Sequence, residues 1–265
     1  MNATIAAQMT AADFLKLRKK RGTLIWALVL ALAPLLIFFI VRAAQHSSNP
    51  VEHPAAGGVG GYTDALRLLA VFFGPLAAIM IGTDGGVGDL AAGVFRDLVV
   101  TGRSRVALFA VRVPAALGLC WLVIAVGYAL AVIGTYAFAS GTPTPSGALL
   151  ANGFGFTLLS TGVICTVAVG FASLTGSRAA ALTVLIGWQL VASRILENIS
   201  SLGNARRVIL SQAIAHFSPV NLGDRGGHGA GATVTMSGGV ALLVLVVWLI
   251  AFLALGAWRT RTMDA

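Results

Sequence analysis

The chain has 265 residues, of which 57% are apolar and only 10% are charged, and its mean hydropathy is +0.89. Because about 25% of the residues in a soluble globular domain are charged, this composition excludes that class and indicates an integral membrane protein. The net charge of +9 does not indicate a nucleic-acid-binding protein, because the basic residues are spread along the chain beside apolar runs.

The N-terminal segment, residues 1–22, precedes the first long apolar run and ends in a cluster of lysines and arginines. Thr10 and Asp13 have the spacing of a helix-capping box, and Phe14 and Leu17 alternate with basic residues. This pattern predicts a short interfacial helix along the inner leaflet. A basic stop signal that only fixes the orientation of the chain fits equally well.

Six stretches are apolar enough to cross a membrane, which takes about 20 residues in a helix. They predict one all-α membrane domain over residues 1–265, without an internal repeat, and Pro34, Pro75 and Pro114 predict kinks in or near its spans. The first stretch is too long for the apolar core of a signal peptide, so we expect it to remain as an anchor. The predicted spans are residues 23–41, 65–83, 106–139, 147–174, 179–193 and 238–258.

The orientation follows from the lysines and arginines that flank the spans. With both termini inside, twelve of the 18 lie on the cytoplasmic side, as the positive-inside rule favours. Arginine outnumbers lysine, and Ala, Gly and Val dominate, which fits a bacterium with a GC-rich genome. We therefore expect a multi-pass protein of the bacterial plasma membrane. The six basic residues left outside are Arg42, Arg67, Arg194, Arg206, Arg207 and Arg225.

Two outer segments differ in character. Residues 42–64 are rich in Gly, Pro and Ser and predict an irregular loop. Residues 204–219 predict a short amphipathic helix on the outer surface before the sixth span, and the glycine-rich residues 223–231 predict a flexible return to that span. The apolar face of the predicted helix contains Ile209, Leu210, Ala213, Ile214 and Phe217, with Arg206, Arg207 and Gln212 elsewhere on the wheel.

Several chemistries are not supported by the sequence. The phosphate-binding loop of ATPases needs a lysine directly after a glycine, and none of Lys16, Lys19 and Lys20 follows one. The glycine cluster at residues 82–89 is therefore interpreted as a flexible turn that leaves the second span. The four histidines and two cysteines lack the spacing of metal ligands. No predicted span carries a histidine or a central carboxylate, so we expect neither catalytic residues nor an intramembrane enzyme.

Gln189, beside Trp188 in the fifth predicted span, is the best candidate for a residue of a substrate pathway. An amide in hydrocarbon requires a hydrogen-bond partner, and polar residues inside spans often mark a pathway. The other polar and small residues of the spans are interpreted as helix-packing positions.

The longest inner loop, residues 84–105, concentrates charge in a chain that is otherwise poor in it. Residues 89–100 place Leu90, Val94 and Leu98 on one face of a short helix, with charged residues around it. Such a helix is suited to docking a partner protein. The alternative is that its arginines only enforce orientation and contact lipid phosphates.

The loop segment GTDGGVGDLAAGVFRDLVVTGRSRVALFAVRV resembles the inner loop of ABC-2-type transporter permeases. The likeness rests on Gly93, Arg96, Leu98, Ser104, Arg105 and Arg112, and departs from the family pattern at Val94, at Arg112 in place of a lysine, and at Asp84 or Asp89 in place of a glutamate. The basic N-terminus, the six spans and the outer amphipathic helix extend the resemblance over nearly the whole chain.

This resemblance implies a permease subunit of a bacterial ABC exporter for a drug, an antibiotic or a lipid. It would pair with a second copy or a paralogous permease and dock a pair of separate ATPase subunits, which bind the ATP and magnesium that this chain does not. A membrane assembly or anchoring factor without transport activity is the alternative. The coupling residues that the resemblance implies are Asp84, Asp89, Phe95, Arg96, Asp97, Arg103 and Arg105.

Overall fold

The computed structural model of the protein describes residues 3–91, 104–220 and 235–262. Within these ranges the chain forms ten α-helices and no strand. Two π-helical segments, Leu68–Phe73 and Trp188–Ala192, join α3 to α4 and α7 to α8, and a 3-10 segment, Ser200–Val208, precedes α9. The helices are α1 Ala3–Lys19, α2 Arg21–Ser48, α3 Gly58–Arg67, α4 Gly74–Ala91, α5 Arg105–Ala137, α6 Gly147–Thr175, α7 Arg178–Gly187, α8 Ser193–Asn198, α9 Leu210–Ala215 and α10 Gly238–Thr262.

Six helical stretches of the described chain are long and apolar enough to span a membrane, which confirms the predicted number and the all-α class. They are α2, α3 with α4, α5, α6, α7 with α8, and α10. The fifth is longer than predicted, because it runs over Arg178–Asn198 and not only over residues 179–193. The second continues to Gly88, five residues past its predicted end.

The helices divide into a central pair and a periphery. Within the most apolar stretch of 18 residues in each span, 72% of the residues are buried in α6 and 61% in α3 with α4, against 11% in α7 with α8. The apolar side chains that α2, α7 and α10 leave exposed suit lipid, in which exposed apolar surface carries no penalty. The core of the protein is therefore the contact between α4 and α6.

Glycines make that central contact possible. A Cβ atom at Gly82 would lie 2.4 Å from the carbonyl oxygen of Cys165, and one at Gly86 would lie 2.5 Å from that of Val169. The prediction that residues 82–89 form a flexible turn is therefore wrong, because these residues belong to α4. In hydrocarbon a helix satisfies its own backbone, and small residues let two helices approach closely.

Polar contacts distinguish the two ends of the bundle. We call the end that contains Lys20, Arg112 and Arg178 the basic end. At the opposite end, which we call the tyrosine end, the hydroxyls of Tyr62 and Tyr128 lie 2.7 Å apart, and Tyr128 donates a hydrogen bond of 2.6 Å to the carbonyl of Leu150. These bonds join α3, α5 and α6.

The N-terminal helix differs from its prediction. α1 begins at Ala3, so Thr10 lies in its interior and does not cap it. Leu17 is buried, and the ring of Phe14 lies against Gly118 of α5. A helix does form in this segment, and Phe14 and Leu17 pack on the bundle, whereas Leu15 is 50% exposed.

The segments at the tyrosine end are more helical than predicted. The irregular loop expected over residues 42–64 is confined to residues 49–57, because α2 continues to Ser48 and α3 begins at Gly58. The segment predicted to form an amphipathic helix contains the end of the 3-10 segment and α9. Of its predicted apolar face, Leu210, Ala213 and Ile214 are buried, whereas Phe217 is 37% exposed. Gln212 was placed off this apolar face, yet it is buried as well.

We predict that Gly86→Ala destabilises the protein, because the added methyl group meets a backbone oxygen that no rotamer change moves. Overpacking of this kind costs about 1–3 kcal/mol of the free energy of unfolding. The thermal midpoint in detergent checks it. Gly155→Ala is the matched control, because a Cβ there has no neighbour within 4 Å. Equal midpoints for the two variants would contradict the close contact of α4 with α6.

Candidate functional site

A cavity of about 60 Å³ lies where the two π-helical segments face α6 and α9. We call it the Gln189 cavity. It is large enough for several water molecules, since one needs roughly 10–15 Å³. Both residues predicted for a substrate pathway, Gln189 and Trp188, line it. The polar side chains of its wall belong to Arg67, Ser160, Gln189, Arg194, Glu197, Ser211 and Gln212.

Pro75 explains the first π-helical segment and its polar neighbours. Proline has no N–H, so Val71, four residues earlier, lacks its α-helical donor. The N–H of Gly74 bonds to the carbonyl of Leu69 and leaves that of Ala70 without an α-helical donor as well. Side chains of neighbouring helices fill both positions. The hydroxyl of Ser160 donates to Ala70 O at 2.7 Å, and Gln189 Nε2 donates to Val71 O at 3.3 Å.

The second π-helical segment shows the same compensation without a proline. The N–H of Ser193 bonds to the carbonyl of Trp188 and not to that of Gln189. The hydroxyl of Ser193 donates to Gln189 O at 3.2 Å in place of the backbone N–H. Single π-helical turns within α-helices are rare and often mark functional sites. Here two of them meet through the side chain of Gln189, and the cavity lies between them.

A buried carboxylate closes the cavity at one side. Glu197 is only 2% exposed, and its Oε2 lies 3.3 Å from a guanidinium nitrogen of Arg194. The Oε1 atom of Glu197 accepts a hydrogen bond from the hydroxyl of Ser211 in α9. Arg206, in the 3-10 segment, donates to the backbone carbonyl of Glu197 at 3.1 Å. Glu197 therefore fastens the 3-10 segment and α9 over the end of α8.

The sequence reasoning missed Glu197 and Arg194 as site residues. The fifth span was predicted to end at residue 193, which placed both in an outer loop. Their spacing, i and i+3, was the available signal, because it allows an ion pair on one helix face and so favours a longer helix. The helix does continue, to Asn198.

The basic end holds a second charged cluster, around Asp84. Its carboxylate accepts a hydrogen bond from Thr23, lies 2.8 Å from Arg178 Nε and 3.7 Å from Lys20 Nζ, and is 4% exposed. Asp84 was predicted to lie in the inner loop and to take part in ATPase coupling. It lies in α4 instead, and its buried side chain is not accessible to a partner protein.

Two arginines of the predicted motif have internal contacts. Arg112 is buried and donates to Gly86 O at 3.2 Å, and Ser173 donates to the same oxygen at 3.1 Å. Arg105 begins α5 and donates to Arg261 O at 3.3 Å, which links this loop end to the end of α10. The other residues predicted to form the docking surface lie outside the described structure: Phe95, Arg96, Asp97, Arg103 and the side chain of Asp89.

Metal chemistry finds no support in the part of the chain that the structure describes. No group of three or more His, Cys, Asp and Glu side chains converges there in a way that could hold a metal ion.

Comparison with known proteins adds no relative. A scan of protein-family models and a search of curated proteins found no match to this chain. Function is therefore inferred from the residues of the Gln189 cavity and from the sequence of the inner loop.

We predict that Gln189→Leu destabilises the protein by about 1 kcal/mol, the usual range for a hydrogen bond within a membrane protein. The reason is the unsatisfied carbonyl of Val71. In a Pro75→Ala background the same change costs less, because an alanine at this position supplies the missing N–H. Thermal midpoints of the two single variants and the double variant form the test. An equal cost of Gln189→Leu in both backgrounds would show that Pro75 does not create the need for Gln189.

We predict that Arg178→Gln lowers stability more than Asp84→Asn does. The first change leaves a buried carboxylate with no close cation, only the hydroxyl of Thr23 and the more distant Lys20, whereas the second leaves two half-exposed cations that water solvates. A lost hydrogen bond to a charged group costs about 1.5–3 kcal/mol. The double variant should recover part of the loss in chemical unfolding. The reverse order of the single variants would contradict the burial of Asp84.

Proposed function

We propose that this chain is the permease subunit of an ATP-driven exporter of the ABC-2 type, and that it moves a lipophilic or amphipathic compound such as a drug, an antibiotic or a lipid. The Gln189 cavity carries this proposal. Charged side chains are costly within membrane helices and occur mainly where they line a substrate or ion path. In this chain Arg67, Arg194 and Glu197 meet in one cavity between apolar helices.

The energy source is proposed to be a pair of separate ATPase subunits, which bind ATP and magnesium. The chain has no lysine after a glycine, so it lacks the phosphate-binding loop. The sequence of the inner loop supports docking, because it combines an apolar face with Arg96, Asp97 and Arg103. Arg105, at the start of α5, lies at the end of the bundle from which this loop leaves.

The proposed assembly lies in the bacterial plasma membrane with the basic end towards the cytoplasm. There the cluster of Lys20, Arg112 and Arg178 accords with the positive-inside rule. A second permease copy or a paralogous permease completes the membrane part, and lipids surround it. The exposed apolar faces of α2, α7 and α10 suit contacts with these two classes of neighbour.

The alternative is a membrane assembly or anchoring factor without transport activity. Such a protein needs spans and a docking surface, but it has no use for a cavity that keeps charged side chains inside the bundle. The Gln189 cavity therefore favours the transport subunit.

We predict that the tagged chain, purified gently from its native membrane, brings with it a soluble P-loop ATPase in equal amount, identified by mass spectrometry. Arg96→Glu combined with Arg105→Glu should abolish this co-purification, because it reverses one charge within the proposed docking helix and one at the start of α5. ATP hydrolysis by the purified complex gives a second readout.

Arg259→Glu is the matched control. This arginine is exposed in the last turn of α10, at the same end of the bundle but outside the loop. The control variant should retain the ATPase. Recovery of the intact chain alone, under conditions that preserve a known ABC transporter complex, would favour the anchoring factor.

A further inference from the structure

The three ionisable side chains of the Gln189 cavity do not balance one another. Glu197 is already engaged through both carboxylate oxygens, by Arg194 and by Ser211. Arg194 spends one terminal nitrogen on that ion pair, and its buried Nε has no hydrogen-bond partner in the structure. Arg67, which ends α3, makes no hydrogen bond or ion pair with another described residue. The cavity thus contains two cations and one anion, which is already paired with Arg194.

Unused donors of this kind favour an anionic ligand. Burying a guanidinium without a full set of acceptors costs free energy, and an incoming anion removes that cost. The planar fork of an arginine matches the oxygens of a phosphate, so two arginines that line one cavity offer donors suited to a phosphate group. A cationic ligand would meet the opposite situation, because two arginines face one carboxylate in this cavity and that carboxylate is already paired with Arg194.

The rest of the wall is apolar and aromatic. Phe72, Phe156, Ile164 and Trp188 line it, and the guanidinium of Arg194 lies 5.1 Å from the ring centroid of Phe72. This contact holds the arginine against the apolar wall. A ligand with a charged head and an apolar body can therefore contact both kinds of surface at once.

We propose that the Gln189 cavity binds the phosphate headgroup of an amphipathic anion, with Arg67 and Arg194 as its ligands and the Phe72 and Trp188 side of the wall against the apolar body. The inference that this ligand represents the class of the exported compound rests on the proposed function. The inference that the cavity binds such a ligand rests on the residues of the cavity.

Titration of the purified protein with dodecyl phosphate tests the site, in nanodiscs of phosphatidylcholine. Tryptophan fluorescence reports binding through Trp188, and the thermal midpoint gives an independent readout. We expect saturable binding of dodecyl phosphate, and weaker binding of dodecyltrimethylammonium and of inorganic phosphate. Arg67→Gln should weaken the binding of dodecyl phosphate by roughly tenfold or more, the value of a hydrogen bond to a charged group.

Arg42→Gln is the matched control, because Arg42 is paired with Asp64 near the tyrosine end and does not line the cavity. It should leave the affinity unchanged. Arg194→Gln alone would leave the buried carboxylate of Glu197 without its ion-pair partner. The second test variant therefore combines Arg194→Gln with Glu197→Gln, which removes both charges together. This double variant should also weaken binding by roughly tenfold or more.

Equal affinity for the cationic detergent, equal affinity for inorganic phosphate, or full affinity in both test variants would each overturn the proposal. Nanodiscs that contain phosphatidylglycerol separate the two sources of a phosphate headgroup. If this lipid competes with dodecyl phosphate, the ligand is a bilayer lipid. If it does not compete, the ligand is a free amphipathic phosphate. Neither result depends on an ATPase, so failure of this site and failure of the proposed subunit role are distinguishable.

Discussion

The polar contacts between the first π-helical segment and its neighbours depend on one missing backbone donor. Pro75 deprives Val71 of its helical hydrogen bond in the middle of an apolar helix, where no lipid atom can replace it. In its place the structure has a π-helical segment and side-chain donors from two other helical segments. Ser160 donates to the carbonyl of Ala70, and Gln189 donates to that of Val71. These donors need space beside the helix, and that space is continuous with the Gln189 cavity. The cavity is thus a consequence of satisfying the backbone, and its charged residues are additions to that arrangement.

The packing around the cavity is unequal, and this determines which wall can move. On one side stand α4 and α6, held together by glycine contacts that allow no separation without loss of the core. On the other side stands the helix formed by α7 and α8, which buries the smallest share of its residues among the spans. Segments with few buried contacts open at the lowest free energy. Displacement of α7 and α8, which would change the contacts of Gln189 and Arg194, therefore costs less free energy than separation of α4 from α6.

Much of this fold could be predicted from the sequence, because hydrophobic length alone specifies a membrane helix. All six spans were found. Gln189 stood out as an amide in an apolar run and lines the cavity, and its role in a substrate pathway stays a prediction. The errors arose where a soluble-protein rule was applied within a membrane. Glycines at residues 82–89 indicated a turn, yet in hydrocarbon they permit helix contact. Arg194 and Glu197 indicated a loop, yet their mutual pairing lets the helix continue. Which helices meet around Pro75 depends on tertiary packing, which no local pattern contains.

The two charged sites are linked because the same two helical rods form both. The rod of α3 and α4 carries Val71 at the cavity and Asp84 at the basic end, and the rod of α7 and α8 carries Gln189 and Arg178 at the same two levels. The eleven residue-to-residue steps from Arg178 to Gln189 span about 16 Å at a rise of 1.5 Å each. Under the proposed function, the docking loop follows directly from α4, so a pull on that loop acts on Asp84 and through it on Arg178. The helix of α7 and α8 is paired with Asp84 at one end and is weakly packed along its length, so it transmits such a displacement to its contacts at the cavity. The residues that respond are then those that bind the ligand.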